Sequence, residues 1–258
     1  MNVVSRPAAR SGITDEEWQI RCDLAALYRL LAHFRMTDLI YTHLSARIPG
    51  PEHHFLINQY GTFFHEMRAS DLVKIDLDGN IVEQDEAESK RVNVAGFVIH
   101  SAIHMARPDL LCVIHTHTSA GIAVSAQKKG LLPISQHALK FYGHLGYHDY
   151  EGIAFDRTER ERLIADLGTH KAMILRNHGL LVGGSSVAEA FDQIYVLERA
   201  CQAQIAAQAG GSRLIFPAKK VRRHTAAQFN RGVDRGIVDV AWGASLRLIE
   251  NDQPDYRS

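Results

Sequence analysis

The sequence predicts an α/β domain built around a mixed, largely antiparallel sheet, and three patterns in its 258 residues support this. Short apolar and β-branched runs alternate with longer segments of helical period. A tight turn at Asp78-Gly79 joins two of the short runs, which indicates a local antiparallel pair and argues against a purely parallel sheet. Hydrophobic residues make up 46% of the chain, enough for a full core at this length.

Strands are predicted where short apolar or alternating runs end at turn residues. Residues 41–48 alternate and stop at Pro49-Gly50-Pro51, and residues 55–57 form a second short run. Residues 74–77 and 81–83 flank the Asp-Gly turn as a hairpin. The later predicted strands are 111–115, 172–175 and 180–182.

Helices are predicted where apolar residues recur with a period near 3.6 and a capping signal opens the segment. Thr14 with Glu17, and Ser186 with Glu189, are capping boxes, and Gly210 follows the second of these helices as a stop signal. Pro108 closes another helix. The predicted helices span residues 14–35, 94–106, 119–127, 157–167 and 186–209, with a further helical composition around 239–249.

No repeat or linker divides the chain, so we expect one domain over residues 1–258. Its core spans about 20–210, between a loose N-terminal arm over 1–12 and a C-terminal extension over 211–258. Residues 84–91 are polar and expected to be exposed, whereas residues 131–155 give no firm assignment.

The charge balance excludes a general electrostatic partner. Twenty-nine basic and 29 acidic side chains cancel, so we expect a small-molecule ligand and neither nucleic acid nor a membrane surface. The first twenty residues lack an apolar segment and no run is long enough to span a membrane, which favours a cytoplasmic protein. The basic run Lys219–Arg223 is interpreted as a solvated face, and the three cysteines as reduced.

Three histidines are candidate metal ligands. His115 and His117 stand two residues apart at the end of the predicted strand 111–115, so their rings point to one side and can share a cation. With 15 histidines in 258 residues, chance gives about one such spacing, and the position at a strand end is the stronger indication. His178 follows the strand 172–175 and is the third candidate; as the alternative, it caps a turn.

Six sequence blocks, in order, resemble the class II aldolase/adducin family, and most closely the adducin head domain and its bacterial relatives. The resemblance covers roughly residues 20–210, and its specificity comes from the number and order of the blocks. It implies a three-layer α/β/α fold of the class II aldolase type and a homotetramer with sites between subunits. The blocks are residues 95–104, 106–109, 113–118, 130–135, 147–152 and 175–179.

The resemblance implies that His115, His117 and His178 bind a divalent metal, with Zn²⁺ first and Mn²⁺ or another ion as alternatives. In the sugar-phosphate aldolases of this family such a metal acts as a Lewis acid on substrate oxygens. Ser45 and Gly61 match the family's substrate-binding positions, whereas the Gly-Asn of the N-terminal phosphate loop reads Thr42-His43 here.

The acid/base position of the family does not carry over, because Gly96 stands where those aldolases have a glutamate. Candidate replacements are His100, His137 and Glu151. The alternatives, which we favour, are structural. His100 and His104 are then packed histidines on one face of a helix, and His148, Asp149 and Glu151 lie in a solvated loop.

Two functions follow from the sequence. The first is a metal-dependent lyase of aldolase or decarboxylase type that acts on a small hydroxylated or carboxylated substrate. Adducin heads have the same glycine and are not known as enzymes, so the alternative is a non-enzymatic, adducin-like scaffold of cytoskeletal type with a vestigial metal site.

Overall fold

The structure is a computed structural model, and it describes residues 12–82, 92–153, 158–230 and 235–258. The predicted loose arm lies outside these residues except for Gly12, and the predicted polar stretch 84–91 lies outside them entirely. Arg157, the first residue of the helix predicted over 157–167, is also outside, and the structure places this helix at Glu159–Leu167.

A mixed sheet forms the middle layer. Among the described residues its strands are β1 (His43–Arg47), β2 (Phe55–Ile57), β3 (Val73–Ile75), β4 (Cys112–Thr116), β5 (Leu145–His148), β6 (Ala172–Leu175) and β7 (Gly179–Gly184). Their spatial order is β3-β2-β1-β4-β7-β6-β5. Only β5 and β6 pair in parallel, and the other neighbours are antiparallel. The predicted mixed, largely antiparallel sheet is therefore confirmed.

Helices cover both faces of this sheet. The described α-helices are α1 (Asp15–His33), α2 (Val94–Ala106), α3 (Ser119–Ser125), α4 (Gln136–Lys140), α5 (Glu159–Leu167), α6 (Val187–Ala209), α7 (Lys219–Asn230) and α8 (Arg235–Glu250). Helices α2 and α5 pack over one face, where Val113 and Leu181 are buried. Helices α1, α3 and α6 pack over the other, around Ile114 and Val182. Because neighbouring strand residues point to opposite faces, these two apolar layers fix the three-layer α/β/α arrangement that the resemblance implied.

Both predicted capping boxes begin helices, but each is completed differently from the motif. Thr14 Oγ1 accepts a hydrogen bond from Glu17 N, and Ser186 Oγ accepts one from Glu189 N, both at 3.1 Å. The carboxylate of Glu17 binds Arg21 and that of Glu189 binds Ser185, and neither returns to its cap residue. In each helix, the hydroxyl of the cap residue accepts from one N–H group of the first turn that has no partner within the helix.

Among the described residues, which reach Val82 here, the hairpin predicted over 74–83 forms in a short version. Ile75 and Ile81 make an antiparallel bridge, and the N–H groups of Asp76 and Val82 donate to the carbonyl oxygens of Asn80 and Lys74, both at 3.0 Å. Asp76 also closes the turn, because its Oδ1 accepts hydrogen bonds from the N–H groups of Asp78 and Asn80, both at 2.9 Å.

The C-terminal part is more helical than the sequence indicated. Helix α8 extends the helical composition around 239–249, and α7 begins with the basic run, most of which is exposed as expected. The unassigned segment 131–155 contains α4 and β5. Within the described part of the chain, no helix is long and apolar enough to cross a membrane.

The final residues pack back onto α1. Arg29 donates to the carbonyl oxygens of Met67 and Glu66, and also to the carboxylate of Asp255 at 3.0 Å. Tyr256 lies in a short 3₁₀ turn, Pro254–Arg257, and only 2% of its surface is exposed. The C-terminal turn is therefore part of the core around α1.

Replacing Tyr256 by alanine is expected to lower the free energy of unfolding by about 3–5 kcal/mol, because a buried aromatic ring leaves a cavity. Urea unfolding followed by circular dichroism measures this change. Phe216→Ala is the matched control, because that ring is 42% exposed and its loss should change stability by under about 0.5 kcal/mol. Equal effects of the two substitutions would show that the C-terminal turn is not part of the core.

Candidate metal centre

Strand pairing brings the three predicted ligands together. Strands β4 and β7 are antiparallel neighbours, and Thr116 pairs with Leu180, so the end of β4 lies beside the start of β7. His115 and His117 flank Thr116, and His178 occupies the turn immediately before β7. Two segments more than sixty residues apart thus place their imidazoles at one point.

Gly179 permits this approach. A Cβ atom built on Gly179 would lie 2.3 Å from the carbonyl oxygen of Thr116, a distance that real Cβ atoms do not adopt. Asn177 in the same turn has a positive φ of 55°, a conformation in which asparagine is enriched among non-glycine residues. The backbone that approaches Gly179 so closely is that of β4.

The ring nitrogens of the three histidines converge. The Nε2–Nε2 distances are 2.8 Å for His115 to His117, 3.2 Å for His115 to His178 and 2.9 Å for His117 to His178. In the described part of the chain, these three residues are the group of metal-ligating side chains whose ligand atoms all lie within 4.8 Å.

The opposite nitrogens of two of these rings have defined acceptors. His115 Nδ1 donates to the carbonyl oxygen of Leu180 at 2.9 Å, and His117 Nδ1 donates to Asp38 Oδ2 at 3.0 Å. A neutral imidazole that donates at Nδ1 carries a lone pair at Nε2. Burial first, and then the neighbouring His178 and His117, hold the pKa of His115 well below its ordinary value, so it is neutral at pH 7.

Such an arrangement fits a cation. If both Nε2 atoms carry lone pairs, they repel at 2.8 Å unless a positive charge lies close to both. The pKa of His178 is lowered to about 4, mainly by burial and also by His117 and His148, so this ring offers a further neutral nitrogen at pH 7. Three convergent imidazoles, one of them oriented by a carboxylate, are a donor set typical of zinc and related divalent ions.

The centre is buried on one side and accessible on the other. His115 is 1% exposed, whereas the side chain of His117 is 20% exposed and that of Asp38 is 42% exposed. Tyr150 lies near the accessible side, with its ring centroid 6.3 Å from that of His178. A small ligand can therefore approach from the side of His117.

Gly96 has no room for a side chain. A Cβ atom there would lie 2.2 Å from His43 Cδ2 and 2.5 Å from His43 Nε2. The His43 ring occupies the space in which a side chain at this position would begin. Gly96 and His43 are therefore sterically coupled, and a Gly96→Glu variant must first displace the imidazole.

His100, one candidate acid/base, is completely buried and belongs to a chain of polar side chains between α2 and β1. Its Nε2 shares a hydrogen bond with His43 Nδ1 at 2.9 Å, and its Nδ1 shares one with Ser45 Oγ at 2.6 Å. Ser45 Oγ also bonds to His104 Nε2 at 2.7 Å. Ser45, the predicted substrate-binding serine, is itself 0% exposed, and two imidazoles engage its hydroxyl.

The other predicted site residues lie outside this group of hydrogen-bonded side chains. His137 is exposed on α4, and Gly61 is in an exposed turn with φ of 103°. Glu151 forms an ion pair with Arg162 and lines a small cavity that also contacts His178. The roles assigned to these residues remain predictions.

His148 does not belong to a solvated loop, and this part of the prediction is wrong. It is the last residue of β5, is 3% exposed, and bonds to Asp166 at 2.8 Å and Glu159 at 3.2 Å. The nearby glycines made this short strand hard to recognise in the sequence. Asp149, the next residue, is exposed as expected.

Sequence reasoning missed Asp38, and it identified His43 only through the match of Thr42-His43 to the family's N-terminal phosphate loop, without a link to the three histidines. Asp38 lies 79 residues before the histidine that it orients, between Arg35 and Leu39, which both have positive φ. No local pattern marks it. His43 was placed in a strand, and only its pairing with His115 across β1 and β4 brings it beside the centre.

The family can now be stated. Residues 22–205 match the family model described as the class II aldolase and adducin N-terminal domain. The chain belongs to the class II aldolase and adducin family. This confirms the resemblance on which the ligand assignment was based.

Similar proteins include both branches of the family. The crystal structure of an aldolase II superfamily protein from Pseudomonas syringae is 53% identical, with a TM-score of 0.91 over 98% of this chain and 100% of that one. L-fuculose 1-phosphate aldolase from Glaciozyma antarctica is 29% identical, with a TM-score of 0.83 over 98% and 97% of the two chains. Alpha-adducin of Rattus norvegicus is 49% identical over 195 residues, which are 74% of this chain and 26% of adducin.

The buried histidines predict a loss of stability in acid. Burial, and then the positive charge of Arg47, lower the pKa of His104 to about 3, against about 6.5 in an unfolded chain. The unfolded state therefore takes up a proton as the pH falls below 6.5, while folded His104 stays neutral until about pH 3. Stability is full above pH 6.5 and falls between these values.

His104 alone is expected to lower the free energy of unfolding by about 2 kcal/mol between pH 7 and pH 5. Urea unfolding in the presence of a chelator at several pH values measures the slope for the wild type and for His104→Gln. The variant should show the shallower slope. Identical slopes would mean that His104 takes up its proton equally in the folded and unfolded states.

Proposed function

We propose that this protein is a metal-dependent class II aldolase-like lyase that acts on a small hydroxylated or carboxylated substrate. The observation that carries the proposal is the convergence of the Nε2 atoms of His115, His117 and His178 within 3.2 Å of one another. Family membership and the similarity to an L-fuculose 1-phosphate aldolase support a carbon–carbon lyase over other metal-dependent reactions.

In this proposal the three histidines hold a divalent ion, with Zn²⁺ as the first candidate and Mn²⁺ as an alternative. A bound divalent ion supplies Lewis-acid stabilisation of negative charge that develops on a substrate oxygen. Leu180 and Asp38 fix the tautomers of His115 and His117 through their Nδ1 atoms, so that Nε2 of each ring remains a donor to the ion. The partly exposed side of His117 admits the substrate.

Proton transfer requires a group other than a carboxylate at position 96. Gly96 carries none, and His43 fills the adjacent space. Of the three sequence candidates, Glu151 lines a small cavity together with His178. His100 is buried and hydrogen-bonds to His43, and His137 is exposed on α4. The homotetramer implied by the family resemblance is part of this proposal, because it would bring residues such as His137 towards a neighbouring subunit.

A scaffold function is the second candidate, and a specific observation favours it. This chain is 49% identical to alpha-adducin over 195 residues, and 29% identical to the L-fuculose 1-phosphate aldolase over 98% of its own length. In that case the histidine site would be vestigial, and binding to a cytoskeletal-type partner would replace catalysis. Turnover that depends on the three histidines distinguishes the two functions.

Asp38→Asn is expected to weaken zinc binding by about 10- to 100-fold, because the carboxylate that orients His117 is lost. Competition with a chromophoric chelator measures the affinity. Asp166→Asn is the matched control, because Asp166 is similarly exposed and also binds a histidine Nδ1, but on His148 outside the three ligands. Equal zinc affinities of Asp38→Asn and the wild type would contradict the assignment.

Protein purified without a histidine tag is expected to contain about one divalent ion per chain by elemental analysis, and His178→Ala should lose it.

A screen of hydroxylated aldehyde, ketone and carboxylate substrates for carbon–carbon cleavage should find turnover that His178→Ala abolishes. His144→Ala removes an exposed histidine and should retain both metal and turnover. A metal-binding wild type without turnover on any of these substrates would favour the scaffold.

A further inference from the structure

Four polar side chains form a continuous buried chain beside the metal centre. His104, Ser45, His100 and His43 are linked in this order by contacts of 2.7, 2.6 and 2.9 Å. Each of them is at most 3% exposed. Burying three imidazoles and a hydroxyl is costly unless they hydrogen-bond to one another, so such a chain indicates a specific role.

Burial favours the neutral form of the imidazoles in this chain. It is the main cause that holds the pKa of His100 well below the ordinary value and that of His104 at about 3. A neutral imidazole has one N–H group and one lone pair, and the serine hydroxyl has one hydrogen to donate. When the serine hydrogen lies within the chain, all hydrogens along it point in the same direction.

Two such arrangements exist, and they differ at the end of the chain. If the hydrogens point from His104 towards His43, then His43 Nδ1 accepts and its Nε2 carries a hydrogen. If they point the other way, His43 Nδ1 donates to His100 and Nε2 carries a lone pair. The chain can thus present either a donor or an acceptor at His43 Nε2 without any change of charge.

The end formed by His43 is the one beside the metal centre. His43 pairs with His115 across β1 and β4, and their ring centroids are 5.3 Å apart. Gly96 lies beside the Nε2 edge of the ring, since a Cβ atom there would lie 2.5 Å from His43 Nε2, and the absence of a side chain at position 96 leaves room for this edge. His43 is not among the three described residues whose ligand atoms converge within 4.8 Å. It therefore adjoins the ligand set without belonging to it.

We propose that His43 hydrogen-bonds the oxygen-donor ligand that occupies the metal centre, and that His100 and Ser45 are positioning residues that fix its ring. The ligand class is a small molecule with a hydroxyl, carbonyl or carboxylate oxygen next to the metal-bound oxygen. His43 donates to a carbonyl or carboxylate oxygen and accepts from a hydroxyl. This inference rests on the proposed metal site and adds a residue that contacts the substrate to it.

The test uses the full chain loaded with Co²⁺, whose visible absorption reports both metal binding and ligand binding. Acetohydroxamate, which chelates metals through two oxygens, is the probe. In His43→Asn the amide retains the contact with His100 but does not reach the position of Nε2. It should bind Co²⁺ with wild-type affinity and acetohydroxamate about 10-fold more weakly, as expected for one lost hydrogen bond.

Ser45→Ala interrupts the chain in its middle and should weaken acetohydroxamate binding about 3- to 10-fold at unchanged Co²⁺ affinity. Ser125→Ala is the matched control. Ser125 is also buried, but its hydroxyl donates only to the Ile122 carbonyl at 2.7 Å, so acetohydroxamate affinity should not change. Ser45→Ala also tests the inference if His43→Asn does not fold.

The two proposals fail in different ways. A wild type that binds no Co²⁺ would overturn the metal site and the role of His43 together. A wild type that binds Co²⁺ and acetohydroxamate, with hydroxamate affinity in His43→Asn or Ser45→Ala within twofold, would overturn only the role of His43. Loss of Co²⁺ in His43→Asn would also overturn it, because His43 would then be a metal ligand.

Discussion

The antiparallel register of β4 against β7 is the constraint on which the candidate centre depends. Pairing of Thr116 with Leu180 sets His115 and His117 against the turn that holds His178, and the same pairing supplies the Leu180 carbonyl that orients His115. A shift by one residue would turn the ligands of β4 to the opposite face of the sheet. Gly179 makes this register possible because any side chain there would collide with the Thr116 carbonyl.

The buried histidines at and beside this site are uncharged. Burial keeps His115, His43 and His100 uncharged, so their nitrogens are available as metal donors or as members of a hydrogen-bond chain. Asp38 contributes a carboxylate at the accessible side. At position 96 the sequence has glycine, and the imidazole of His43 occupies the space in which a side chain there would begin.

Local physical chemistry allowed much of the fold to be predicted from the sequence. Hydroxyl caps at Thr14 and Ser186, and the helical period after them, gave α1 and α6 close to their observed bounds. Prediction failed where long-range contacts outweigh local patterns. Strand β5 is too short and glycine-rich to be recognised, although it pairs with β6 along its whole length.

By itself, the sequence determined the class of fold and the three histidines that could bind a metal, because periodicity, strand-end position and the order of motifs are properties of neighbouring residues. Only the tertiary structure decided which side chains surround them. Asp38 and His43 lie more than seventy residues before the ligands that they adjoin, and strand pairing and loop packing bring them there. The buried chain from His104 to His43 likewise joins a helix to a strand, a contact that no local pattern encodes.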